Sequence, residues 1–306
     1  MSSPSAHNLT AGGLQATFWP HAGMVCVSLS HQGIELLRRV EDLETARIKG
    51  STVGIPILYP WANRLSSLKY HAAGRAVSLD SSSSLLHFDD HRLPMHGVRW
   101  SQLRWEVVSR TPDTLMARLP WLSRELLDIF PFPHDVEMNV HLRPDGLDIK
   151  TTVIAGSGWP VPISFGFHPY FGLPGIPRSV WRFNAPAMLE LALDARGIPD
   201  GTETPTQAVD SPLGNIGYDS SFAVLQRQAS FSISGASYTI AIEFKSGFPY
   251  AQIFAPKDKE FIAIEPMTAA TNALISGQGL QIIDAGEQFA ASFRIGVNTS
   301  ASSNRE

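Results

Sequence analysis

The sequence predicts an all-β protein with few short helices, and three observations support this prediction. Apolar and polar residues alternate in many short segments, which is typical of strands that bury one face. The 24 glycines and 22 prolines are spread along the chain, where they separate these segments instead of forming one linker. Helical spacing of apolar residues is scarce. Many short strands with regular turns indicate a β-sandwich or a β-barrel.

The clearest element is a predicted hairpin over residues 135–154. Every second residue of 135–142 is apolar, and residues 147–154 alternate in the same way, so each segment has one face for the core. Between them, Arg143-Pro144-Asp145-Gly146 supplies the turn, because proline presets φ and glycine accepts a positive φ.

Two further hairpins follow from the same alternation. Segments 24–29 and 34–37 flank a turn at His31-Gln32-Gly33. Alternating residues from Phe231 to Phe244 flank a turn at Gly235-Ala236-Ser237.

One helix is predicted, from Leu122 to Phe130, because Ser123 can cap its first turn and Pro131 ends it. The four serines at 81–84 are predicted to form a loop, and residues 299–306 a frayed tail. We find no internal repeat and no composition change that would divide the chain, so one domain over residues 1–306 is expected.

Composition excludes several classes of protein. The net charge of −4 has the wrong sign for a protein that neutralises nucleic-acid phosphates. A single cysteine, Cys26, excludes a disulfide framework and a cysteine-rich metal site. No apolar stretch approaches the roughly 20 residues that span a bilayer. The polar segment Met1–Asn8 lacks the pattern of a secretion signal, so a cytoplasmic location is expected.

Four segments depart from the strand pattern and could carry chemistry. In the first, residues 54–65, two prolines and a glycine shape a loop in which Asn63 and Arg64 offer hydrogen-bond donors beside Trp61. The alternative is a surface arginine that packs on the tryptophan.

The second segment, residues 88–100, is rich in histidine and aspartate. The spacing of these residues does not place metal ligands on one face, so no metal site is predicted. His96 is distinct, because Gly97 after it lets the backbone turn and bring the imidazole into a cleft.

The third segment, residues 163–175, contains His168 among four aromatic residues. Pro169 pushes the backbone of His168 into the extended region. Apolar surroundings disfavour the charged imidazole, which makes it a candidate proton donor or acceptor. The alternative is a hydrogen-bonded structural histidine.

The fourth segment, residues 261–273, has Glu265 at the predicted end of the apolar strand Phe261–Ile264. If buried, this carboxylate must be paired or functional. Pro266 after it suggests the rim of a sheet. The alternative is an exposed glutamate at a strand end.

Taken together, the four segments resemble those of the aldose 1-epimerase (mutarotase) family. The resemblance rests on a Pro-rich loop ending in Asn-Arg, a His-Gly, a His-Pro-Tyr-Phe and a Glu-Pro-x-Thr, in this order over residues 54–273. The segment 214–219 also resembles the one that carries a substrate-binding aspartate in the family. Ala269 and the single Gly23 depart from the usual pattern, away from the candidate acid and base.

The resemblance implies a large twisted antiparallel β-sandwich of the galactose mutarotase-like kind, with an open sugar cleft and neither cofactor nor metal. It implies that Glu265 is the base on the anomeric hydroxyl and His168 the acid at the ring oxygen. It also implies that Arg64, His96 and Asp219 hold a small sugar substrate. Independently of the resemblance, Trp61, Tyr170 and Phe171 are candidate apolar walls.

Three alternatives remain open at this point. A hexose-6-phosphate 1-epimerase would need extra cations at the cleft, and Arg92, Arg99 and Lys257 lie near the motifs. A non-catalytic sugar-binding protein could use the same fold, although both candidate proton-transfer groups are present. A glycosidase would need two carboxylates that flank the scissile bond, and one convincing glutamate is found.

Overall fold

The computed structural model describes residues 6–38, 42–49, 51–235 and 238–299, and it confirms the all-β prediction. The strands of these residues, numbered in chain order, are β1 His7–Ala11, β2 Leu14–Trp19, β3 Val25–His31, β4 Ile34–Glu35, β5 Ile57–Leu58, β6 Lys69–Ala72, β7 Arg75–Ser78, β8 Leu86–Phe88, β9 Pro94–Val98, β10 Glu106–Arg110, β11 Thr114–Trp121, β12 His134–Arg143, β13 Gly146–Ala155 and β14 Val161–Ile163. They continue as β15 Gly166–Phe167, β16 Tyr170–Phe171, β17 Arg182–Ala185, β18 Met188–Leu193, β19 Pro199–Pro205, β20 Val209–Pro212, β21 Tyr218–Val224, β22 Ala229–Gly235, β23 Tyr238–Ser246, β24 Tyr250–Ala255, β25 Ile262–Met267, β26 Gln281–Ile283 and β27 Gln288–Thr299.

Helices are short and few in the described residues. They are α1 Leu43–Lys49, α2 Arg124–Ile129 and α3 Ala273–Ser276, with single 3₁₀ turns at Trp100–Gln102 and Arg178–Val180. The helix α2 confirms the predicted helix, and the side chain of Ser123 caps it by accepting a hydrogen bond from the backbone N–H of Leu126. Across the described part of the chain, no helix combines the length and apolar character needed to cross a membrane.

Two large antiparallel sheets form the body of the protein. The nine-stranded sheet has the order β10-β11-β12-β13-β27-β23-β22-β17-β20. The eight-stranded sheet has the order β19-β18-β21-β24-β25-β15-β5, with β16 paired to β25. A four-stranded sheet of β1 to β4 and three two-stranded pairs, β6–β7, β8–β9 and β14–β26, complete the fold.

The main core lies between the two large sheets. Phe167 of β15 packs against Phe293 of β27 with ring centroids 5.0 Å apart, and Phe248 contacts both rings edge-on. Burial of each such ring contributes about 1.5–3 kcal/mol relative to an exposed one. This contact between the facing sheets confirms the β-sandwich.

The predicted hairpin at 135–154 is present as β12 and β13. Leu142 pairs with Leu147 and Arg143 with Gly146, which leaves a two-residue loop. Gly146 is needed for a second reason, because a Cβ there would lie 2.3 Å from the carbonyl oxygen of Ile295 in the neighbouring β27. The glycine therefore allows the hairpin to join the sheet as well as to turn.

The other two hairpins are also present. The strands β3 and β4 turn at Gln32-Gly33, and β22 pairs with β23 from Ala229 opposite Phe244 to Gly235 opposite Tyr238. Residues 236 and 237 of that turn lie outside the described residues.

Residues 81–84 form the predicted loop between β7 and β8. The predicted tail is corrected at its first residue, because Thr299 ends β27 and pairs with Tyr238. The rest of the predicted tail lies outside the described residues.

Candidate active site

A cleft of about 350 Å³ opens on one face of the eight-stranded sheet. Gln252, Phe254 and Glu265 line it, whereas their neighbours Ile253 and Ile264 belong to the main core. Successive strand residues point to opposite faces of a sheet. The cleft therefore lies on the face that points away from the sandwich core.

All five site residues predicted from the sequence line this cleft: Arg64, His96, His168, Asp219 and Glu265. They come from five separate parts of the fold. Asp219 lies on β21, Glu265 on β25 and His96 on β9, while Arg64 follows β5 and His168 lies between β15 and β16.

Strand register places His168 opposite Glu265. Gly166 of β15 pairs with Met267, and Tyr170 of β16 pairs with Ala263. His168 is midway between Gly166 and Tyr170, as Glu265 is midway between Met267 and Ala263. The antiparallel register therefore brings the two side chains face to face, with His168 Nε2 3.1 Å from Glu265 Oε1.

The strand does not end at Glu265 as the sequence suggested, because β25 continues to Met267. Pro266 lies inside β25, where it pairs with Ala251 of β24. Glu265 is 1% exposed, so the alternative of an exposed strand-end glutamate is wrong.

Burial controls the protonation of this pair. Burial, and to a smaller extent the positive charge of Arg38, lowers the pKa of His168 from 6.5 to about 3. Burial, with the negative charge of Asp219, raises the pKa of Glu265 well above its ordinary value. Both shifts have the same physical cause, and they favour the neutral forms, a protonated Glu265 and an uncharged His168 imidazole.

Tyr170 stacks on the imidazole ring of His168 and so restricts the orientation of that ring. The two rings stack with centroids 4.2 Å apart and planes 16° from parallel. The Tyr170 hydroxyl lies within hydrogen-bond distance of His168 Nε2, at 3.1 Å, and of Thr52 Oγ1, at 2.6 Å. His168 Nε2 therefore faces both this hydroxyl and Glu265 Oε1.

His96 is placed by a short backbone pairing with the loop after β5. Its N–H donates to the carbonyl oxygen of Asn63 at 2.8 Å, and Arg64 pairs with Met95. Both His96 and Gly97 have positive φ, and a Cβ on Gly97 would lie 2.2 Å from the carbonyl oxygen of Tyr59. The glycine allows this close approach, as the sequence suggested.

The imidazole of His96 meets that of His168 edge-on, with centroids 5.6 Å apart. Burial and, secondly, His168 lower the pKa of His96 well below 6.5, so its ring is neutral near pH 7. Its Nδ1 is buried and has no hydrogen-bond partner among the described residues. A buried polar atom without a partner is uncommon, and it lies on a residue that lines the cleft.

Arg64 is fixed by Asp89, a residue that the sequence did not assign to the site. Arg64 Nε donates to Asp89 Oδ2 at 2.7 Å. The backbone N–H groups of His91 and Leu93 donate to the other oxygen of Asp89, at 3.0 and 2.9 Å. The alternative of an arginine packed on Trp61 is wrong, because Trp61 is fully buried in the main core.

Gln252 is a second residue that sequence reasoning missed. Its Nε2 donates to Asp219 Oδ1 at 2.8 Å, and the hydroxyl of Ser221 donates to its Oε1. Gln252 is opposite Ser221 on one side and Glu265 on the other. A lone amide in the apolar segment 251–255 was the available signal, because such a buried group needs a partner.

The apolar walls differ in part from the predicted ones. Tyr170 lines the cleft, and Phe254 and Trp100 do so as well. Phe171 and Trp61 lie in the main core. Phe171 follows Tyr170 on β16 and therefore points to the opposite face of the sheet. Three cations were candidates for holding a phosphate group. Arg99 lines the cleft, whereas Arg92 and Lys257 do not. Arg38, which the sequence did not suggest, also lines it.

Among the described residues, no three His, Cys, Asp or Glu side chains form a group that could hold a metal ion. The polar groups of the cleft are instead carboxylates, imidazoles, amides and guanidinium groups, which suit hydrogen bonds to the hydroxyls of a small molecule.

Comparison with solved structures identifies the fold. A galactose mutarotase-like protein from Clostridium acetobutylicum is 18% identical, with 96% of this chain and 95% of that chain covered and a TM-score of 0.82. The Slr1438 protein from Synechocystis sp. PCC 6803 is 22% identical, with 98% and 97% covered and a TM-score of 0.79. An aldose epimerase homologue from C. elegans is 14% identical, with 97% and 99% covered and a TM-score of 0.80.

These likenesses confirm the expected galactose mutarotase-like β-sandwich. The family model of aldose 1-epimerases matches residues 7–296, which is nearly the whole chain. The chain therefore belongs to the aldose 1-epimerase family.

Proposed function

We propose that the protein is an aldose 1-epimerase, an isomerase that interconverts the α and β anomers of a free aldohexose without cofactor or metal. The observation that carries this proposal is the contact of His168 Nε2 with Glu265 Oε1 at 3.1 Å. This contact lies in a cleft of about 350 Å³ that is lined by polar side chains. We further infer one catalytic domain over residues 1–306. A cytoplasmic location stays a prediction.

Ring opening needs one proton acceptor and one proton donor. Glu265 takes the proton of the C1 hydroxyl as the C1–O1 bond becomes a carbonyl. His168 gives its proton to the ring oxygen O5 as the C1–O5 bond breaks. The open aldehyde rotates about C1–C2, and closure on the other face returns each proton to its donor.

The pair is suited to this cycle because it carries one proton in total. Ring opening requires that proton on His168, and the open-chain stage requires it on Glu265. The raised pKa of Glu265 and the lowered pKa of His168 favour the arrangement with the proton on Glu265. The proton then moves from Glu265 to His168, either directly over 3.1 Å or through the hydroxyls of a bound sugar. This transfer produces the arrangement that ring opening requires.

The remaining polar residues suit the holding of hydroxyl groups. Arg64, fixed through Nε, has its terminal nitrogens without a partner among the described residues. Asp219 is an acceptor oriented by Gln252, and His96 is a neutral imidazole with a free nitrogen. Charge-assisted hydrogen bonds, donated by Arg64 and accepted by Asp219, are stronger than neutral ones by about a factor of two.

A second candidate function is a hexose-6-phosphate 1-epimerase. Arg38 and Arg99 line the same cleft, and neither is in a salt bridge with a described residue. A neutral hexose does not require two further cations, whereas a phosphate group would. A non-catalytic sugar-binding role on this fold is the third candidate.

Polarimetry separates the three candidates. Fresh α-D-glucose, α-D-galactose and their 6-phosphates are each mixed with the protein, and the rate is compared with that of the Glu265→Gln variant at the same concentration. Acceleration with the free hexoses supports the proposal, and acceleration with the 6-phosphates alone supports the second candidate. Sugar binding by calorimetry without any acceleration would leave the sugar-binding role and contradict both activities.

A further inference from the structure

Gly197 lies against the guanidinium group of Arg64, although no motif in the sequence drew attention to it. A Cβ built on Gly197 would be 2.8 Å from Arg64 Nη1 and 3.2 Å from Cζ. Gly197 belongs to the turn between β18 and β19, at one edge of the eight-stranded sheet. Arg64 follows β5, at the other edge, so this contact joins the two edges across the cleft.

The turn that carries Gly197 is a rigid one. Asp194 accepts hydrogen bonds through Oδ1 from the N–H groups of Arg196 and Ile198, at 2.8 and 3.0 Å. The backbone of Asp194 closes the turn with Ile198 and Gly197, at 2.8 and 2.9 Å. Gly197 itself has φ of +74°, a conformation that favours glycine.

Arg64 is therefore constrained on two sides. Asp89 accepts its Nε–H at 2.7 Å, and the space into which a Cβ of residue 197 would project is taken by its guanidinium group, with Nη1 2.8 Å from that position. A side chain at position 197 would not fit beside Nη1 without moving the guanidinium group. Because the guanidinium is the far end of a flexible side chain, such movement would cost the fold little and would alter the direction of its donors.

We propose that Gly197 is a positioning residue that sets the direction of the Arg64 guanidinium in the cleft and so determines affinity for the substrate. The proposal rests on the proposed function in one respect, the holding of the sugar by Arg64. Gly197 contacts no reacting atom in this scheme, so its effect falls on binding and not on proton transfer.

The test compares Gly197→Ala with Gly74→Ala. Gly74 has φ of +77° and nothing within 4 Å of a built Cβ, so its variant has the same backbone strain without the contact. Gly197→Ala is expected to raise KM about tenfold with kcat within about threefold, as for loss of an interaction made equally in ground and transition states. Gly74→Ala is expected to leave both unchanged, and an equal KM for the two variants would overturn the proposal.

A double-mutant cycle tests whether the effect passes through Arg64. In the Arg64→Ala background, Gly197→Ala is expected to cause no further rise in KM, because the displaced group is gone. The same rise in both backgrounds would overturn the proposal. If Gly197→Ala does not fold, Gly197→Asn replaces it, because asparagine tolerates a positive φ, with Gly74→Asn as its control.

A readout without activity separates this proposal from the proposed function. The Nε–H resonance of Arg64, in protein labelled with ¹⁵N-arginine, is assigned by its loss in Arg64→Ala. Gly197→Ala is expected to shift this resonance and Gly74→Ala is expected not to shift it. A wild-type protein without epimerase activity would contradict the proposed function only, whereas an unshifted resonance in Gly197→Ala would contradict the placement of Arg64 by Gly197.

Discussion

His168 and Glu265 are opposite each other in the register of adjacent antiparallel segments, with Nε2 and Oε1 3.1 Å apart. Neither group is accessible enough for water to stabilise its charge, because both are at most 5% exposed. An imidazole and a carboxylic acid in such contact share one proton and titrate as a unit.

Removal of either member of the pair should abolish most of the activity. Glu265→Gln keeps the shape of the side chain but cannot accept the proton of the C1 hydroxyl. His168→Asn cannot protonate the ring oxygen. Each is expected to lower kcat by at least about 10²-fold, measured by polarimetry on fresh α-D-glucose or α-D-galactose.

The double variant checks that the two groups act together. Because one proton transfer is useless without the other, it should lose far less than the product of the two single losses. Circular dichroism provides the folding control for all three variants. A folded Glu265→Gln protein with near wild-type rate would show that the assignment of the base is wrong.

The pH profile of kcat/KM should be bell-shaped, because only the form of the pair with one proton can both donate and accept. Burial lowers the pKa of His168 to about 3. The pair therefore takes up a second proton, and kcat/KM falls, only at a pH below 6.5. Burial raises the pKa of Glu265, so the pair loses its remaining proton, and kcat/KM falls again, only at a pH above 4.5.

This assignment of the limbs differs from the simplest scheme for an acid–base pair, in which the glutamate gives the acid limb. The physical reason is burial, which favours the neutral form of both groups. Stopped-flow polarimetry between pH 4 and pH 10 measures the profile. An acid limb centred above pH 7 would contradict the lowered pKa of His168.

Arg64→Ala should raise KM more than it lowers kcat, because Arg64 holds hydroxyls in the ground state and in the transition state alike. Loss of a hydrogen bond to a charged group costs about 1.5–3 kcal/mol, which corresponds to about a 10- to 100-fold rise in KM. Asp89→Asn should have a smaller effect in the same direction, because the amide can still accept from Nε. Initial rates over a range of sugar concentrations provide both constants, and an unchanged KM with a collapsed kcat would refute the role.

His134 should make the folded state sensitive to acid. It is buried on β12, stacked on Trp121, with its Nε2 bonded to the Tyr59 hydroxyl and its Nδ1 to the carbonyl oxygen of Phe132. Burial lowers its pKa from 6.5 to about 4. Because the unfolded state binds a proton that the folded state does not, this site removes about 3 kcal/mol of stability as the pH falls from 6.5 to 4.

Urea denaturation at pH 7 and pH 4.5 measures this effect. His134→Gln should lose less stability between the two pH values than the wild type does, although it is less stable at pH 7. His141→Gln is the matched control, because His141 is on the same strand with a side chain that is 37% exposed. If His134→Gln and the wild type lost the same amount, the acid sensitivity would have another source.

The sequence by itself determined the local features of this protein. Alternation with a period of two is encoded by neighbouring residues, so the strands β12 and β13, their turn and the helix α2 were all predictable. The types of the cleft residues were also readable, because histidine, arginine and carboxylates in segments with many turns suggest chemistry. The family resemblance added the order in which they occur.

Only the tertiary structure decided which of these residues meet. The register that pairs His168 with Glu265, the Asp89 contact that fixes Arg64 and the approach of Gly197 join residues that are far apart in the chain. The inward direction of Trp61 is likewise a result of packing. Local patterns carry no information on long-range register or on the loss of water around a group, and those two factors set both the geometry and the pKa values of the cleft.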